Sequence, residues 1–412
     1  MKYGLIGETL GHSFSKDIHN MIGGYEYEPC TLRPEELRVF MQKRDFKGIN
    51  ITNPYKRAVM EYIDVVDPDA LAIGAVNTVV NKDGVLYGYN TDINGLCALI
   101  KRCGFDFNGA KVLICGTGAT SRTAYAAAKK LGALNIIFLS RTEKAGSVTY
   151  ERSYEEHADA DYIINTTPCG TWPHIYGCAA DVARFKCLKG VVDVVYNPLR
   201  TELVMRSRSL GIKAEAGLYM LVAQAVCASE KFLLEHYVDS LTEVIYEKLL
   251  KKKENIVLTG MPGSGKSTLA RVLSAKTGRP YYDTDLLIRE KTGKYPHEII
   301  AERGESEFRA IECEIIAEIA KTNGSIIATG GGAVLYEGNI RKLRMNGKIV
   351  FIDLPLEHLK AYNDRPLSSS KEKLAAMYKE RMPLYVSRCD IRYAPCGSPE
   401  ACASELLEEL KI

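Results

Sequence analysis

Eight consecutive residues, Gly260-Met261-Pro262-Gly263-Ser264-Gly265-Lys266-Ser267, restrict what this chain can fold into more than any other feature. They satisfy G-x-x-x-x-G-K-[ST]; the run Asn255–Thr259 before them reads as a strand, and a helix is expected from Thr268. Such a loop works between a strand and a helix, where its N–H groups and the positive end of the helix dipole converge on phosphate oxygens. Lys266 then reaches β- and γ-phosphates, and the Ser267 hydroxyl ligates Mg²⁺. Gly263, Ser264, Gly265, Lys266, Ser267 and Thr268 are the expected contacts of a nucleoside triphosphate.

The rest of the chain has the same layered character. Short apolar runs alternate with helical patterns: Val112–Cys115, Ile136–Leu139, Tyr162–Asn165 and Val191–Val195 form one series, and Ile256–Thr259, Ser325–Ala328 and Ile349–Leu354 another. Unbroken apolar strands belong in parallel sheets covered on both faces, so the fold class is α/β. A chain of 412 residues exceeds the roughly 250–300 that one core sustains, so two or more domains are expected. The best boundary is Glu247–Asn255, where Lys248, Lys251, Lys252 and Lys253 read as a solvated helix end or linker.

A net charge of +3 gives no reason to expect nucleic acid or a membrane surface as partner. The twelve cysteines contain no Cys-x-x-Cys pair, which reads as free thiols in a reducing cytoplasm. The N-terminus reads as a strand rather than a secretory signal, and no run of about 18 apolar residues suggests a membrane span.

A second glycine turn, Gly116-Thr117-Gly118-Ala119, follows the strand Val112–Cys115 and precedes an Ala-rich helix expected over Ala124 to Leu131. It is either a Rossmann-like dinucleotide turn or a packing pair of glycines. The next strand ends at Ser140-Arg141-Thr142, with an Arg where NAD-binding folds place an acid for the ribose hydroxyls. A guanidinium suits a 2′-phosphate, favouring NADP.

Beyond the phosphate loop come Tyr282-Asp283-Thr284-Asp285, then Gly304-Glu305-Ser306-Glu307-Phe308-Arg309-Ala310-Ile311-Glu312, Gly330-Gly331-Gly332, Arg365-Pro366-Leu367 and Arg381-Met382-Pro383-Leu384-Tyr385. In their order and spacing, over about 255–395, these segments resemble shikimate kinase. The resemblance implies ATP as donor, with Arg309 and Arg381 on the shikimate carboxylate. It implies Asp285 on the ring hydroxyls and the attacking oxygen, and Gly331 and Gly332 as close backbone contacts. Asp283 would stand near Mg²⁺ with Ser267, and Arg365 would open a lid and face the transferring phosphoryl group and the nucleotide.

The first 240 residues carry Gly11-His12-Ser13-Phe14-Ser15, Gly48-Ile49-Asn50-Ile51-Thr52-Asn53-Pro54-Tyr55-Lys56, Gly74-Ala75-Val76-Asn77-Thr78 and Gly88-Tyr89-Asn90-Thr91-Asp92. Further on are Asn165-Thr166-Thr167-Pro168, Asp193-Val194-Val195-Tyr196-Asn197-Pro198 and Gly217-Leu218-Tyr219-Met220-Leu221-Val222-Ala223-Gln224. This set resembles shikimate dehydrogenase. It implies Lys56 and Asp92 as the catalytic pair for hydride exchange between NADP(H) and 3-dehydroshikimate. Ser13 and Ser15 would meet the carboxylate, and Thr52, Asn77, Tyr196 and Gln224 the rest of the substrate. Gly116, Gly118, Ala119, Arg141, Thr142, Thr167 and Gly217 would border the cofactor. His12 and His19 are read as structural. Thr171 departs from the family pattern, standing where a Met is common.

The expected layout is a substrate-binding domain over 1–95, completed by about 217–240, an NADP-binding Rossmann-like domain over 96–216, a linker over 241–254 and a P-loop kinase domain over 255–412. The product of the first activity is the substrate of the second, so small molecules are the expected partners; a homodimer is compatible with the sequence. The alternatives are a quinate/shikimate dehydrogenase using NAD fused to the same kinase, or one half serving as a degenerate regulatory module.

Overall fold

The structure, a computed structural model, describes residues 1–11, 13–359 and 370–412; His12 and Arg365 lie outside the described residues. The chain divides into two compact units, Met1–Leu250 and Lys251–Ile412.

The first unit holds two six-stranded sheets. One runs in the order Glu28–Thr31, Tyr3–Gly7, Gly48–Ile51, Thr78–Lys82, Val85–Tyr89, Val65–Val66 and is mixed, with Thr78–Lys82 antiparallel to both of its neighbours. The other, Lys213–Glu215, Gly190–Asp193, Tyr162–Asn165, Lys111–Cys115, Asn135–Ser140, Ser147–Thr149, is parallel throughout. Its central strand shows why the apolar run is unbroken. Val112 and Ile114 enter one core with Leu96, Ala124 and Ala127, while Leu113 and Cys115 enter another with Ile163, Val191 and Leu203. Successive side chains point to opposite faces, and helices cover both. Each such side chain contributes roughly 1.5–3 kcal/mol by leaving water.

Helix Leu218–Leu233 serves both sheets. Ala228 and Phe232 pack with Leu5, Tyr27 and Val80 of the first, and Met220 joins the core of the second. Helix Asp92–Arg102 lies against it at Gly95, where a Cβ would stand 2.5 Å from the Met220 carbonyl. That close approach brings Asp92 and Gln224 to one cleft.

The second unit has one parallel sheet, in the order Tyr281–Asp283, Ile326–Ala328, Asn255–Thr259, Gly347–Ile352, Ile391–Tyr393. Asn255–Thr259 is central; Ile256 and Leu258 enter one core and Val257 the other. No helix among the described residues is long and apolar enough to cross a membrane.

Four local expectations need correction. The stretch 241–254 is not an open linker: Leu241–Lys253 is a helix whose Ile245, Tyr246 and Leu249 are buried with Phe14, Ile18 and Val222. The helix after the phosphate loop begins at Lys266 and the one after the second glycine turn at Ala119, each earlier than expected. In both, the turn runs straight into the helix, so its last residues already lie in the first helical turn. The strand expected over Val191–Val195 ends at Asp193, because the Asp193 carboxylate accepts from the Val195 N–H at 3.0 Å and bends the chain there.

Candidate active sites

In the first unit a cavity of about 530 Å³ is lined by Ser13, Ser15, Thr52, Lys56, Asn77, Asp92, Tyr196, Gly217 and Gln224, among others. Strand Gly48–Ile51 delivers Thr52 and Lys56 from its C-terminal end; the Thr52 N–H donates to the Ile6 carbonyl and the Val76 N–H to that of Lys56. Lys56 Nζ donates to Asp92 Oδ2 at 2.6 Å, with both side chains mostly shielded. Asn77 is locked by Thr91, whose N–H donates to Asn77 Oδ1 at 2.8 Å, and Thr91 Oγ1 reaches Gln224 Oε1 at 3.4 Å. The Ser13 hydroxyl accepts from the Ser15 N–H and donates to Ser15 Oγ. It therefore helps to start helix Ser15–Ile22 while facing the cavity. A cation–carboxylate pair ringed by hydroxyls and amides is suited to proton transfer at a polar, oxygen-rich substrate.

The second glycine turn lies at the C-terminal edge of the parallel sheet. Gly116 has φ +107°, in the region glycine favours, and sits against Thr167. Beside Gly118 there is open space, and Ala119 starts a helix there. That combination fits a pyrophosphate. Thr167 is held by Asn165, whose Oδ1 accepts from its N–H and its hydroxyl. Arg141 and Thr142 are exposed at the end of the adjoining strand. Of the residues expected to border the cofactor only Gly217 lines the 530 Å³ cavity.

His19, expected to be structural, does not line the cavity. It is fully buried, stacked on Tyr27 at 3.8 Å, with Nδ1 2.5 Å from the Tyr25 hydroxyl and no partner for Nε2 among the described residues. Burial pulls its pKa from 6.5 down to about 3, against a smaller opposing effect from Asn50. The folded chain therefore binds fewer protons than the unfolded chain between these values, and stability is lost as pH falls below 6.5. The full window is worth at most roughly 5 kcal/mol. Urea unfolding between about pH 7 and pH 5 is expected to show a loss of about 2 kcal/mol from this residue. A His19→Gln variant with the wild-type pH slope would remove His19 as the cause.

In the second unit a cavity of about 770 Å³ is lined by Gly263, Gly265, Lys266, Ser267, Thr268, Asp283, Asp285, Arg309, Gly331, Gly332 and Arg381. Lys266 is buried, its Nζ donating to the Gly260 and Met261 carbonyls at 2.9 Å each and lying 3.5 Å from Ser264 Oγ. Ser264 is thus part of the loop's internal bonding and does not line the cavity. Asp283 caps helix Thr284–Thr292 through Oδ1 while still facing the cavity. Among the described residues no cluster of three or more His, Cys, Asp or Glu side chains makes a metal cage. Ser267 and Asp283 instead fit Mg²⁺, which keeps water and phosphate oxygens as most of its ligands.

Arg309 donates to Glu312 at 2.8 Å and to Glu305 at 2.8 Å. Each terminal nitrogen keeps a second N–H for a ligand. Burial alone would lower the Arg309 pKa, but Glu312 and Glu305 outweigh it and the guanidinium is held above its usual value. Gly332 lets this guanidinium sit against the backbone; a Cβ there would be 2.1 Å from Arg309 Nη1. Arg381 Nη1 donates to the Gly331 carbonyl at 3.1 Å, and its buried Nε has no partner among the described residues.

Several lining residues had no role in the sequence reading. Glu312 is fully buried, with Oε1 unpartnered among the described residues. Burial raises its pKa, Arg309 opposes this, and Asp285 adds to the rise. Oε1 of Glu312 and Oδ1 of Asp285 converge beside Gly330, 2.8 and 3.0 Å from where its Cβ would be. The signal was present in the spacing: Glu312 lies three residues after Arg309, on the same helical face. Asn50 and Trp172 line the first cavity. Asn50 Oδ1 accepts from the Tyr27 hydroxyl at 2.8 Å, a partner no local pattern predicts.

Comparison with known families agrees with this geometry. The family described as shikimate dehydrogenase substrate binding domain matches residues 5–79, and the one described as shikimate kinase matches residues 262–411. A shikimate dehydrogenase (NADP(+)) of Clostridium perfringens is 35% identical over 269 residues, covering 60% of this chain and 97% of the relative. The crystal structure of shikimate dehydrogenase 1 from Peptoclostridium difficile superposes with a TM-score of 0.56 at 31% identity, covering 60% of this chain and 98% of that one. The Thermus thermophilus enzyme solved with NADP(H) and shikimate gives a TM-score of 0.55 at 27% identity, covering 60% and 99%.

Proposed function

The chain belongs to the shikimate dehydrogenase family over its first unit and carries a shikimate kinase domain in its second, and from that premise we propose how it performs two successive reactions. The first is NADPH-dependent, reversible reduction of 3-dehydroshikimate to shikimate. The second is phosphorylation of shikimate by ATP and Mg²⁺ to shikimate 3-phosphate. The observation that carries the reading is that each unit surrounds one cavity with charged and hydroxyl-binding side chains suited to a small hydroxylated acid, next to a glycine turn suited to phosphate.

Gly116, Gly118, Ala119, Thr167 and Gly217 would hold NADPH, with Arg141 and Thr142 for its 2′-phosphate, and the bound cofactor would supply the hydride. Ser13 and Ser15 donate to the substrate carboxylate; Thr52, Asn77, Tyr196 and Gln224 orient the ring. Lys56 gives a proton to the ketone oxygen as it becomes a hydroxyl. Asp92, 2.6 Å from Nζ, aims that ammonium and accepts from the neighbouring hydroxyl.

In the second unit Ser267 and Asp283 would hold Mg²⁺, which would neutralise charge on the phosphates of ATP. Lys266 and the N–H groups of Gly263–Thr268 hold those phosphates. Arg309 and Arg381 grip the carboxylate, as guanidinium forks do well. Gly331 and Gly332 allow close backbone contact. Asp285 takes the proton of the attacking hydroxyl, and Glu312, with Oε1 beside it, accepts from a ring hydroxyl. The role of Arg365 rests on the resemblance.

Purified protein given 3-dehydroshikimate, NADPH, ATP and Mg²⁺ is expected to oxidise NADPH and accumulate shikimate 3-phosphate, and to stop at shikimate when ATP is left out. Failure of either half-reaction rejects the bifunctional reading and supports a regulatory role for the silent unit.

A further inference from the structure

Resting on the kinase reading and deepening it, we infer that Tyr281 is a positioning residue for the divalent cation, its hydroxyl orienting the Asp283 carboxylate toward the metal. Tyr281 and Asp283 are two residues apart on the edge strand Tyr281–Asp283, so their side chains leave the same face. Both line the 770 Å³ cavity, as does Ser267. The phenol donates to Asp283 Oδ2 at 2.9 Å. The other carboxylate oxygen, Oδ1, accepts from the N–H groups of Asp285 and Leu286 at 3.0 and 3.4 Å.

Those bonds divide the labour within one carboxylate. Oδ1 is committed to the helix N-terminus and Oδ2 to the phenol, on a side chain that lines the cavity. The helix cap alone fixes one oxygen and leaves the group free to pivot about it. A second bond, from Tyr281, fixes the plane. Nothing in the strand pattern demands a polar atom here; a Phe would fill the same space.

The test compares the full-length protein with Tyr281→Phe, which keeps the ring and loses one oxygen. Mn²⁺ is titrated into each in the presence of ADP, with free Mn²⁺ read by electron paramagnetic resonance, and ADP affinity without metal is measured by calorimetry. The expected result is Mn²⁺ binding weakened about tenfold, as for other partners that orient a metal ligand, with metal-free ADP affinity unchanged. Unchanged or tighter Mn²⁺ binding overturns the inference, whatever the melting temperature does. A weakening of metal-free ADP binding by the same factor also overturns it, because the effect would then lie on the phosphate loop. If the wild-type chain shows no ADP-dependent Mn²⁺ binding, the kinase reading itself fails and the inference goes with it.

Discussion

Lys56→Ala is expected to lower the turnover of NADPH-dependent reduction by about 10³-fold, within the range of a positioned acid or base, and to leave phosphorylation of shikimate unchanged. The argument starts from geometry. Lys56 is anchored through its own carbonyl to the Val76 N–H, and its Nζ is 2.6 Å from Asp92 in a cavity whose other lining residues, Ser13, Asn77 and Gln224 among them, are uncharged. The alkoxide that forms as hydride arrives needs a proton within hydrogen-bond reach. Alanine supplies none, and it strands the Asp92 carboxylate beside the developing negative charge. The serines that face the substrate carboxylate are untouched, so KM for 3-dehydroshikimate should move only a few-fold, the pattern of an interaction made mainly in the transition state. Steady-state kinetics on both half-reactions checks this. A KM effect without a kcat effect would make Lys56 a binding residue instead.

What could be read in the sequence, and what could not, follows from how far apart the interacting residues lie. The phosphate loop and the Gly116 turn are local: a strand, a glycine bend and a helix start are adjacent in the chain, and their chemistry is written in consecutive residues. The lining of each cavity was also recoverable, because Lys56, Asp92 and Gln224, or Asp285, Arg309 and Arg381, each sit in a distinctive segment. Partners supplied from elsewhere were not recoverable. Asn50 was in plain view within Gly48–Lys56, yet its orientation depends on Tyr27, more than twenty positions away along the chain. Trp172 lines the first cavity from a loop whose preceding motif ends at Pro168. The helix Leu241–Lys253 was hidden for another reason. Its lysines cluster toward the C-terminal end and read there as a charge run, and the buried stripe of Ile245, Tyr246 and Leu249 is too short to stand out beside them. The Asp283 side chain combines two readings that compete on sequence alone, a helix cap through Oδ1 and a residue lining the cavity.

Lys266→Ala is expected to have the mirror-image effect, lowering phosphoryl transfer by at least about 10²–10³-fold with NADPH oxidation at wild-type rate. Lys266 is almost wholly buried, and its ammonium is held by the Gly260 and Met261 carbonyls. It is thus aimed by its own loop before any phosphate arrives, and little reorganisation accompanies binding. A charge preorganised in this way acts where phosphoryl charge moves, and in a shielded cleft it is screened far less than at the surface. Alanine removes that charge and leaves two loop carbonyls without their donor, so the loop itself should loosen and ATP affinity should fall along with kcat. Two separate assays on the same preparation distinguish this from general misfolding: shikimate-dependent ADP release must collapse while reduction of 3-dehydroshikimate continues. Loss of both activities would show that the two sites do not function independently, and survival of more than about a tenth of the phosphorylation rate would be incompatible with a phosphate-binding role of this size.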